Sequence, residues 1–283
     1  MSLLMHAPPV RIAVVVTAAL MTLVINAYSQ ELDVAYVETP AEVIELMLEM
    51  VDVGRGDYVI DLGTGDGRIV IAAVKRGAVG LGVDLDPQLV REARENAAKA
   101  GLSDRVMFLE QDLFETDIAQ ATVVTMFLNH EVNLRLRSTL LEELSPGTRV
   151  VSHNFAMGEW QPDKYQQYLR NAEDNFYIHD VYFWQVPADA RGDWIGKAGD
   201  EDVQMMIDQE FQRITVDLLA DDRMLVIEEA SLHGKRIDVI GHDQANKTQY
   251  TFSGSIEKND INGILLKRSG DSGTVRNWQA SRN

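Results

Sequence analysis

Residues 58–67 read YVIDLGTGDG, an apolar run that leads into three glycines at alternate positions. The run Tyr58–Leu62 predicts a short strand, and Arg68–Lys75 has the apolar spacing of a helix. Glycine is needed where the backbone turns with positive φ, or where a ligand comes too close to the main chain for a Cβ atom. A strand, a glycine loop and a helix in this order predict a ligand-binding turn at the end of a strand.

Strands and helices continue to alternate on both sides of this turn. Thr39-Pro40 opens a helix upstream, and the downstream strands and helices are Val79–Val83, Pro87–Ala100, Val106–Leu109, Thr122–Leu128, Val132–Glu143 and Arg149–His153. Short apolar strands separated by amphipathic helices predict a mostly parallel sheet with helices on both faces. We therefore expect a Rossmann-like, doubly wound α/β fold that binds its ligand beyond the carboxyl ends of the strands.

A different pattern begins at Arg191. Glycines recur in apparent turns, Gly241, Gly254 and Gly263 among them, between alternating stretches such as Thr248–Ser253. This spacing predicts an antiparallel meander of about 90 residues, forming a small β-barrel or sandwich. The chain is accordingly divided into a leader at residues 1–29, a cofactor-binding domain at residues 30–187 and a β-rich domain of unknown role at residues 188–283.

The leader resembles a secretory signal peptide. Arg11 precedes an apolar run, Ile12–Ile25, and cleavage is plausible after Ser29. The run is 14 residues long, within the range of a signal peptide and shorter than the roughly 20 residues that span a bilayer. We expect an exported protein, periplasmic or extracellular, with an uncleaved membrane anchor as the alternative.

The composition limits the partners. The formal net charge is −18 at pH 7, and such an acidic surface repels phosphate backbones. A nucleic-acid partner is therefore not expected, and a protein or peptide is the easier substrate. The chain has no cysteine, which excludes disulfides and thiolate metal sites. His130, Glu131 and His153 lack the spacing of a metal-binding motif, so no metal is predicted.

Carboxylates around the glycine loop indicate the class of cofactor. Asp84 ends the second strand, 17 residues after Gly67, where a carboxylate can accept hydrogen bonds from two ribose hydroxyls. The third glycine comes one residue earlier than in the GxGxxG dinucleotide motif, and Asp66 would repel a pyrophosphate. Asp61 and Asp66 are better suited to S-adenosylmethionine (SAM), which carries a sulfonium and an ammonium group but no phosphate. At the end of the third strand, Asp112 is expected to accept from an adenine amino group, with a helix N-cap as the alternative.

These motifs carry a resemblance to a known family. Residues 61–73 (DLGTGDGRIVIAA) and 80–87 (GLGVDLDP) resemble the seven-stranded SAM-dependent methyltransferases. They look most like the branch that includes the ATP synthase c-subunit lysine methyltransferases and their bacterial relatives. The similarity runs from about Thr39 to Trp160 and does not extend to residues 191–283. It implies a protein-lysine N-methyltransferase, and its SAM site would be formed by Asp61, Gly63, Gly65, Asp84 and, at the adenine edge, Asp112.

A lysine acceptor needs a group that handles its proton, because its unperturbed pKa is about 10.4. Polar candidates near the ends of the fourth and fifth strands are Asn129, Glu131, His153 and Asn154. We favour Asn129 first and His153 second, with Phe155 and Trp160 as possible walls for the cationic head. Two alternatives stay open, namely a small-molecule or lipid methyltransferase and an exported binding protein that keeps the fold without activity.

Overall fold

Five parallel strands form the centre of the N-terminal sheet in the computed structural model, which describes residues 36–172, 175–245 and 247–283. The strands are β1 (Tyr58–Leu62), β2 (Val79–Asp84), β3 (Val106–Glu110), β4 (Val123–Met126) and β5 (Arg149–His153). The helices are α1 (Ala41–Met50), α2 (Arg68–Lys75), α3 (Pro87–Lys99) and α4 (His130–Glu143). The predicted leader lies outside the described residues, and within them no helix is long and apolar enough to cross a bilayer.

An antiparallel hairpin completes this sheet. Its strands are β6 (Lys164–Ala172) and β7 (Asn175–Gln185), and β7 pairs antiparallel with β5. Sequence reasoning assigned no strands to this region. As an edge strand, β6 has the polar sequence KYQQYLRNA, which lacks the apolar alternation of a strand with one buried face. The sequence of β7, NFYIHDVYFWQ, is rich in apolar and aromatic residues and is the signal that could have marked the hairpin.

The strand order β3-β2-β1-β4-β5-β7-β6 changes direction at β1. From β1 the chain moves outward to β2 and β3, and then returns to the other side of β1 for β4 and β5. The loops that leave the carboxyl ends of β1 and β4 therefore diverge and leave a crevice between them. Open α/β sheets bind their ligands in such a crevice.

Helices cover both faces of the sheet. Val59, Val123 and Val151 lie in one apolar cluster with residues of α1, α2 and α3. On the opposite face, the Asn133 side chain of α4 donates a hydrogen bond to Ser152 Oγ over 3.1 Å. The expected Rossmann-like, doubly wound and mostly parallel architecture is therefore confirmed.

In the described part of the C-terminal region, nine antiparallel strands form a sheet in the order β11-β10-β9-β8-β16-β15-β14-β13-β12. They are β8 (Gly192–Ala198), β9 (Glu201–Glu210), β10 (Arg213–Ala220), β11 (Arg223–Met224), β12 (Val226–His233), β13 (Arg236–Asp243), β14 (Thr248–Glu257), β15 (Asp260–Ser269) and β16 (Ser272–Arg282). Because β10 also contacts β12, the sheet curls into a nearly closed barrel. Its core includes Trp194, Tyr250, Phe252 and Trp278. The expected small antiparallel barrel or sandwich is confirmed, in the form of the barrel.

Several glycines of the barrel do not occupy turns. Gly241, Gly254 and Gly263 lie inside β13, β14 and β15, so their interpretation as turn residues was wrong. Gly254 and Gly263 face each other across two strands. A Cβ atom would lie 3.0 Å from the Trp278 indole at Gly254 and 2.7 Å from it at Gly263. Both glycines therefore make room for a tryptophan ring that comes from a distant part of the chain.

The barrel contacts the amino end of the first sheet. The Ala188 amide donates to the Gly234 carbonyl oxygen over 2.8 Å, and Gly234 packs against Gly147 and Gln185. Gly147 lies two residues before the start of β5, and Gln185 pairs with Arg149, the first residue of that strand. These contacts therefore lie away from the crevice at the carboxyl ends.

Candidate cofactor and acceptor site

The glycine loop closes over the end of β2. Gly63, Gly65 and Gly67 all have positive φ, at 75°, 55° and 80°, which a residue with a Cβ atom adopts only at a cost. The amides of Gly63 and Thr64 both donate to the Val83 carbonyl oxygen, over 3.0 and 2.8 Å. The expectation that these glycines supply unusual backbone conformations is confirmed.

The three glycines face different neighbours. A Cβ atom at Gly67 would lie 2.8 Å from the Phe108 ring of β3, so this glycine permits close packing inside the fold. At Gly63 the neighbour is Leu128, which follows β4, and at Gly65 it is the ring of Tyr36. Gly63 and Gly65 therefore lie where the main chain borders the crevice.

Asp61 is a buried carboxylate at the end of β1, only 1% exposed. It accepts hydrogen bonds from Thr64 Oγ1 (2.7 Å) and from Thr125 Oγ1 of β4 (2.6 Å). Burial raises the pKa of Asp61 to about 6, although the two threonine hydrogen bonds act in the opposite direction. A cation near the mouth of the crevice would favour the charged form of this group.

Asp66 forms an ion pair within the protein itself. Its Oδ2 lies 2.7 Å from Arg68 Nη2, and its Oδ1 accepts from Arg68 Nε over 2.9 Å. Burial, and then the negative charge of the nearby Asp66, raise the pKa of Tyr36 to about 12. Sequence reasoning missed both partners, and part of the negative charge of Asp66 is therefore already compensated.

Asp84 fixes the glycine loop at the end of β2. Its Oδ2 accepts from the Gly65 amide over 2.8 Å, and its Oδ1 accepts from the Asp86 amide over 2.9 Å. The carboxylate is half-buried, and each oxygen can accept more than one hydrogen bond. The geometry therefore leaves acceptor capacity beside the loop, and the ribose contact stays a prediction.

Asp112 follows the end of β3. Its Oδ1 accepts from the Phe114 amide over 2.9 Å and caps the short 3₁₀ helix Leu113–Glu115. The capping alternative thus accounts for one carboxylate oxygen, and the contact with adenine stays a prediction. Together, Asp61, Asp84 and Asp112 lie at the ends of three neighbouring strands. This row of carboxylates fits a nucleoside that carries positive charge and hydroxyl groups.

His153 ends β5 in a buried chain of polar groups. Its Nδ1 lies 3.2 Å from Thr39 Oγ1, and its Nε2 lies 2.9 Å from His179 Nδ1. The ring also packs against Phe127, with 3.9 Å between centroids. Burial, and then the neighbouring His179, lower the pKa of His153 to about 3. His153 is therefore neutral at physiological pH and is by itself a weak proton acceptor.

His179 and Asp180 are polar groups of this region that sequence reasoning missed, because it did not predict the hairpin. Asn154, with a positive φ of 66°, donates its amide to the Asp180 carbonyl oxygen over 2.7 Å. In return, Asn154 Oδ1 accepts from the Asp180 amide over 3.0 Å. The residue after β5 is thus fixed to β7 from both sides.

The remaining candidates for the acceptor side of the site lie in different environments. Asn129 caps α4, its Oδ1 accepting from the Val132 amide over 2.9 Å, and its role toward an acceptor stays a prediction. Glu131 is exposed on the first turn of α4, and Phe155 is half-buried. Trp160 is fully buried against Trp184, so it belongs to the core and does not line a channel.

The segment from Tyr36 to Thr39 connects the two halves of the site. The Tyr36 ring covers Gly65, Glu38 pairs with Arg68 over 2.9 Å, and Thr39 contacts His153. Arg68 Nη1 also donates to the Thr39 carbonyl oxygen over 3.3 Å. This segment therefore runs along the carboxyl edge of the sheet from the glycine loop to the end of β5.

Comparison with known proteins agrees with this geometry. Residues 61–164 match the family described as the ANTKMT methyltransferase domain. A protein-lysine N-methyltransferase of Saccharolobus islandicus is 43% identical over 155 residues, which cover 54% of this chain and 94% of that protein. The human lysine N-methyltransferase of the ATP synthase c-subunit is 35% identical over 128 residues, 45% of this chain and 54% of that one.

Among solved structures, one described as an RNA methyltransferase from Salinibacter ruber in complex with S-adenosyl-L-homocysteine is 49% identical. The match covers 54% of this chain and 95% of that chain, with a TM-score of 0.49. The similarity to the Saccharolobus enzyme spans nearly all of that enzyme, and it confirms the resemblance carried by residues 61–87. The chain therefore belongs to the family of SAM-dependent methyltransferases that includes the Saccharolobus protein-lysine N-methyltransferase.

Proposed function

We propose that this enzyme transfers a methyl group from SAM to the side-chain nitrogen of a lysine in a protein. The observation that carries the proposal is the 43% identity to a protein-lysine N-methyltransferase of which 94% is covered. The human relative, of which this chain spans about half, is likewise named as a lysine methyltransferase.

The site supplies what this reaction needs. When bound, SAM offers a methyl group on a sulfonium sulfur, which an amine nitrogen can take by in-line displacement, so that positioning dominates catalysis. In this proposal Asp84 would hold the ribose and Asp112 the adenine, and the Asp61 carboxylate would favour the cationic end of the cofactor. A lysine must lose its proton before it can react, and desolvation at an apolar edge favours the neutral amine.

A nucleic-acid acceptor is disfavoured by electrostatics. The chain carries a formal net charge of −18, and three carboxylates lie at the carboxyl edge where an acceptor must approach. A phosphate backbone would be repelled there, whereas a lysine side chain would be attracted. The relative described as an RNA methyltransferase nevertheless makes RNA an outcome that the experiment must include.

We further propose that the enzyme acts outside the cytoplasm. The apolar run Ile12–Ile25 after Arg11 has the length of a secretory signal, and a membrane-associated acceptor would be compatible with that location. Because SAM is made in the cytoplasm, the proposal also requires a supply of cofactor. Fractionation of cells and N-terminal sequencing of the protein test it, and an intact N-terminus in the cytoplasmic fraction would contradict it.

The acceptor class is tested with purified protein, SAM labelled in its methyl group, and protein and RNA fractions from cells that lack the gene. We expect label in proteins, located on lysine by mass spectrometry. Asp84→Ala should abolish most of the labelling, and Asp104→Ala, an exposed acid away from the loop, should not change it. Label that resists protease and is released by ribonuclease would show that the acceptor is RNA.

A further inference from the structure

The hairpin of β6 and β7 extends beyond the rest of the sheet. Pairing between β5 and β7 runs from Arg149 opposite Gln185 to His153 opposite Val181 and stops there. Pairing between β6 and β7 continues from Gln167 opposite Asp180 to Ala172 opposite Asn175. At about 3.3 Å per residue, the six residues 175–180 extend about 20 Å past the end of β5. We call residues 167–172 and 175–180 the hairpin overhang.

The overhang lies on the same edge as the cofactor loop. β5 is parallel to β4, which is parallel to β1, so all three strands end at one edge of the sheet. The glycine loop leaves β1 at this edge, and the overhang rises from the same edge beyond β5. A molecule bound against the overhang would therefore border the crevice between β1 and β4.

Apolar side chains of the overhang are exposed to solvent. Leu169, Phe176, Tyr177 and Ile178 are between 53% and 68% exposed. Leu169 and Ile178 are directly opposite each other, and Phe176 lies two residues from Ile178 on the same face. Single exposed apolar residues are ordinary, but a contiguous apolar patch at the rim of a site is typical of a surface that binds a partner.

The overhang is held firmly to the acceptor side of the site. His179 contacts His153 at the end of β5, and the backbone of Asp180 exchanges two hydrogen bonds with Asn154. The Asp180 carboxylate also accepts from Tyr165 Oη (2.7 Å) and Gln167 Nε2 (2.9 Å). A partner on the apolar patch would therefore be placed at a fixed distance from the ends of β4 and β5.

We propose that the apolar patch formed by Leu169, Phe176 and Ile178 binds the acceptor protein through apolar residues that flank the methylated lysine. The inference rests on the proposed function, which requires a protein acceptor. The kind of molecule that binds the patch follows from the charge of this edge and from the position of the patch beside the crevice, because the edge combines carboxylates in the crevice with an apolar rim. That combination matches a cationic side chain between apolar neighbours. A lipid surface matches it less well, since anionic headgroups would be repelled by a chain of net charge −18.

The test compares two short peptides with a central lysine, one flanked by leucine and phenylalanine and the other by serine and glutamine. We expect the wild-type enzyme to methylate the apolar-flanked peptide with a kcat/KM about tenfold higher. The variant Leu169→Ser/Phe176→Ser/Ile178→Ser should lose this preference through a higher KM, while its Kd for SAM stays unchanged. A matched control replaces three exposed apolar residues of the barrel, Met206→Ser/Ile264→Ser/Val275→Ser, and should keep the preference.

The possible failures are distinguishable. If the overhang variant keeps the preference, or if the wild-type enzyme treats both peptides alike, the inference is wrong and the proposed function stands. If the wild-type enzyme binds SAM but methylates neither peptide nor any protein of the extract, the proposed function itself fails. If the variant instead loses sedimentation with phosphatidylcholine vesicles and keeps its peptide preference, the patch is a lipid-binding surface and the inference is overturned.

Discussion

His153 Nε2 lies 2.9 Å from His179 Nδ1, and the two rings join the last residue of β5 to the hairpin that rises beyond it. On its other side, His153 contacts Thr39, which directly precedes Pro40, the N-cap of α1. One buried imidazole thus connects the helix start, the sheet and the hairpin. A neutral imidazole has one donor and one acceptor nitrogen, so protonation of His153 would turn the acceptor of one of these two contacts into a donor.

The stability of the protein should therefore depend on pH through His153. Its folded-state pKa of about 3 lies below its ordinary value of 6.5, so the unfolded chain takes up the proton first. The contribution of the neutral His153 to the free energy of unfolding is complete above pH 6.5 and is lost as the pH falls toward 3. Between pH 7.5 and 5.5 the wild-type protein should lose about 1 kcal/mol of unfolding free energy relative to His153→Asn.

Urea unfolding at the two pH values measures this difference. The pH dependence contributed by Asp61 has the opposite sign, because its folded-state pKa of about 6 lies above its ordinary value of 3.8. Its contribution to the free energy of unfolding therefore increases as the pH falls from 6 to 4. Asp61 is present in both proteins, and its effect cancels in the comparison. Parallel pH profiles for the wild type and His153→Asn would show that the buried imidazole does not carry the effect.

Asp84→Ala should weaken SAM binding by about 1.5–3 kcal/mol, the scale of charge-assisted hydrogen bonds. The substitution removes the acceptor expected for the ribose and also the partner of the Gly65 amide. Isothermal titration with SAM gives the dissociation constant, and Asp104→Ala serves as the reference for a lost surface charge. A dissociation constant equal to that of the wild type would remove Asp84 from the cofactor site.

Gly65 and Tyr36 should be energetically coupled. A Cβ atom at Gly65 would overlap the Tyr36 ring, and its φ of 55° strains any other residue. Gly65→Ala should therefore lower stability, and part of the loss should disappear when it is combined with Tyr36→Ala. We expect a coupling energy of about 1 kcal/mol in a double-mutant cycle followed by urea unfolding. Additive effects would mean that the ring does not rest on the loop in solution.

Gly263→Ala should destabilise the barrel by about 2–3 kcal/mol, because the new methyl group would overlap the Ser253 carbonyl oxygen and lie 2.7 Å from the Trp278 indole. Gly273→Ala is the matched control. It lies in β16, and its Cβ would have no neighbour closer than 3.7 Å, so its effect should stay within about 0.5 kcal/mol. Thermal unfolding of both variants measures the difference, and equal effects would argue against the packing of Trp278 on Gly263.

The elements that the sequence predicted best depend on contacts between residues that are close together in the chain. β1, α2 and β5 were predicted with the bounds that the structure gives. Asp84 was expected at the end of the second strand beside the glycine loop, and there its Oδ2 accepts from the Gly65 amide. Local periodicity and turn chemistry are sufficient for such elements, because each is stabilised by neighbours close in sequence.

The parts that sequence missed depend on distant contacts. His179 reaches His153 only because β7 pairs antiparallel with β5, and nothing in the polar edge strand β6 announces that hairpin. Tyr36 covers Gly65 from a segment with no periodic pattern. Gly263 looked like a turn residue because the tryptophan that requires it lies 15 positions away, at Trp278.

The most direct test of the account is a crystal structure of the protein with S-adenosylhomocysteine. We predict that the nucleoside lies in the crevice between β1 and β4, with its ribose hydroxyls within hydrogen-bonding distance of the Asp84 carboxylate and its amino-acid end toward Asp61. A ligand bound anywhere else at saturating concentration would contradict it.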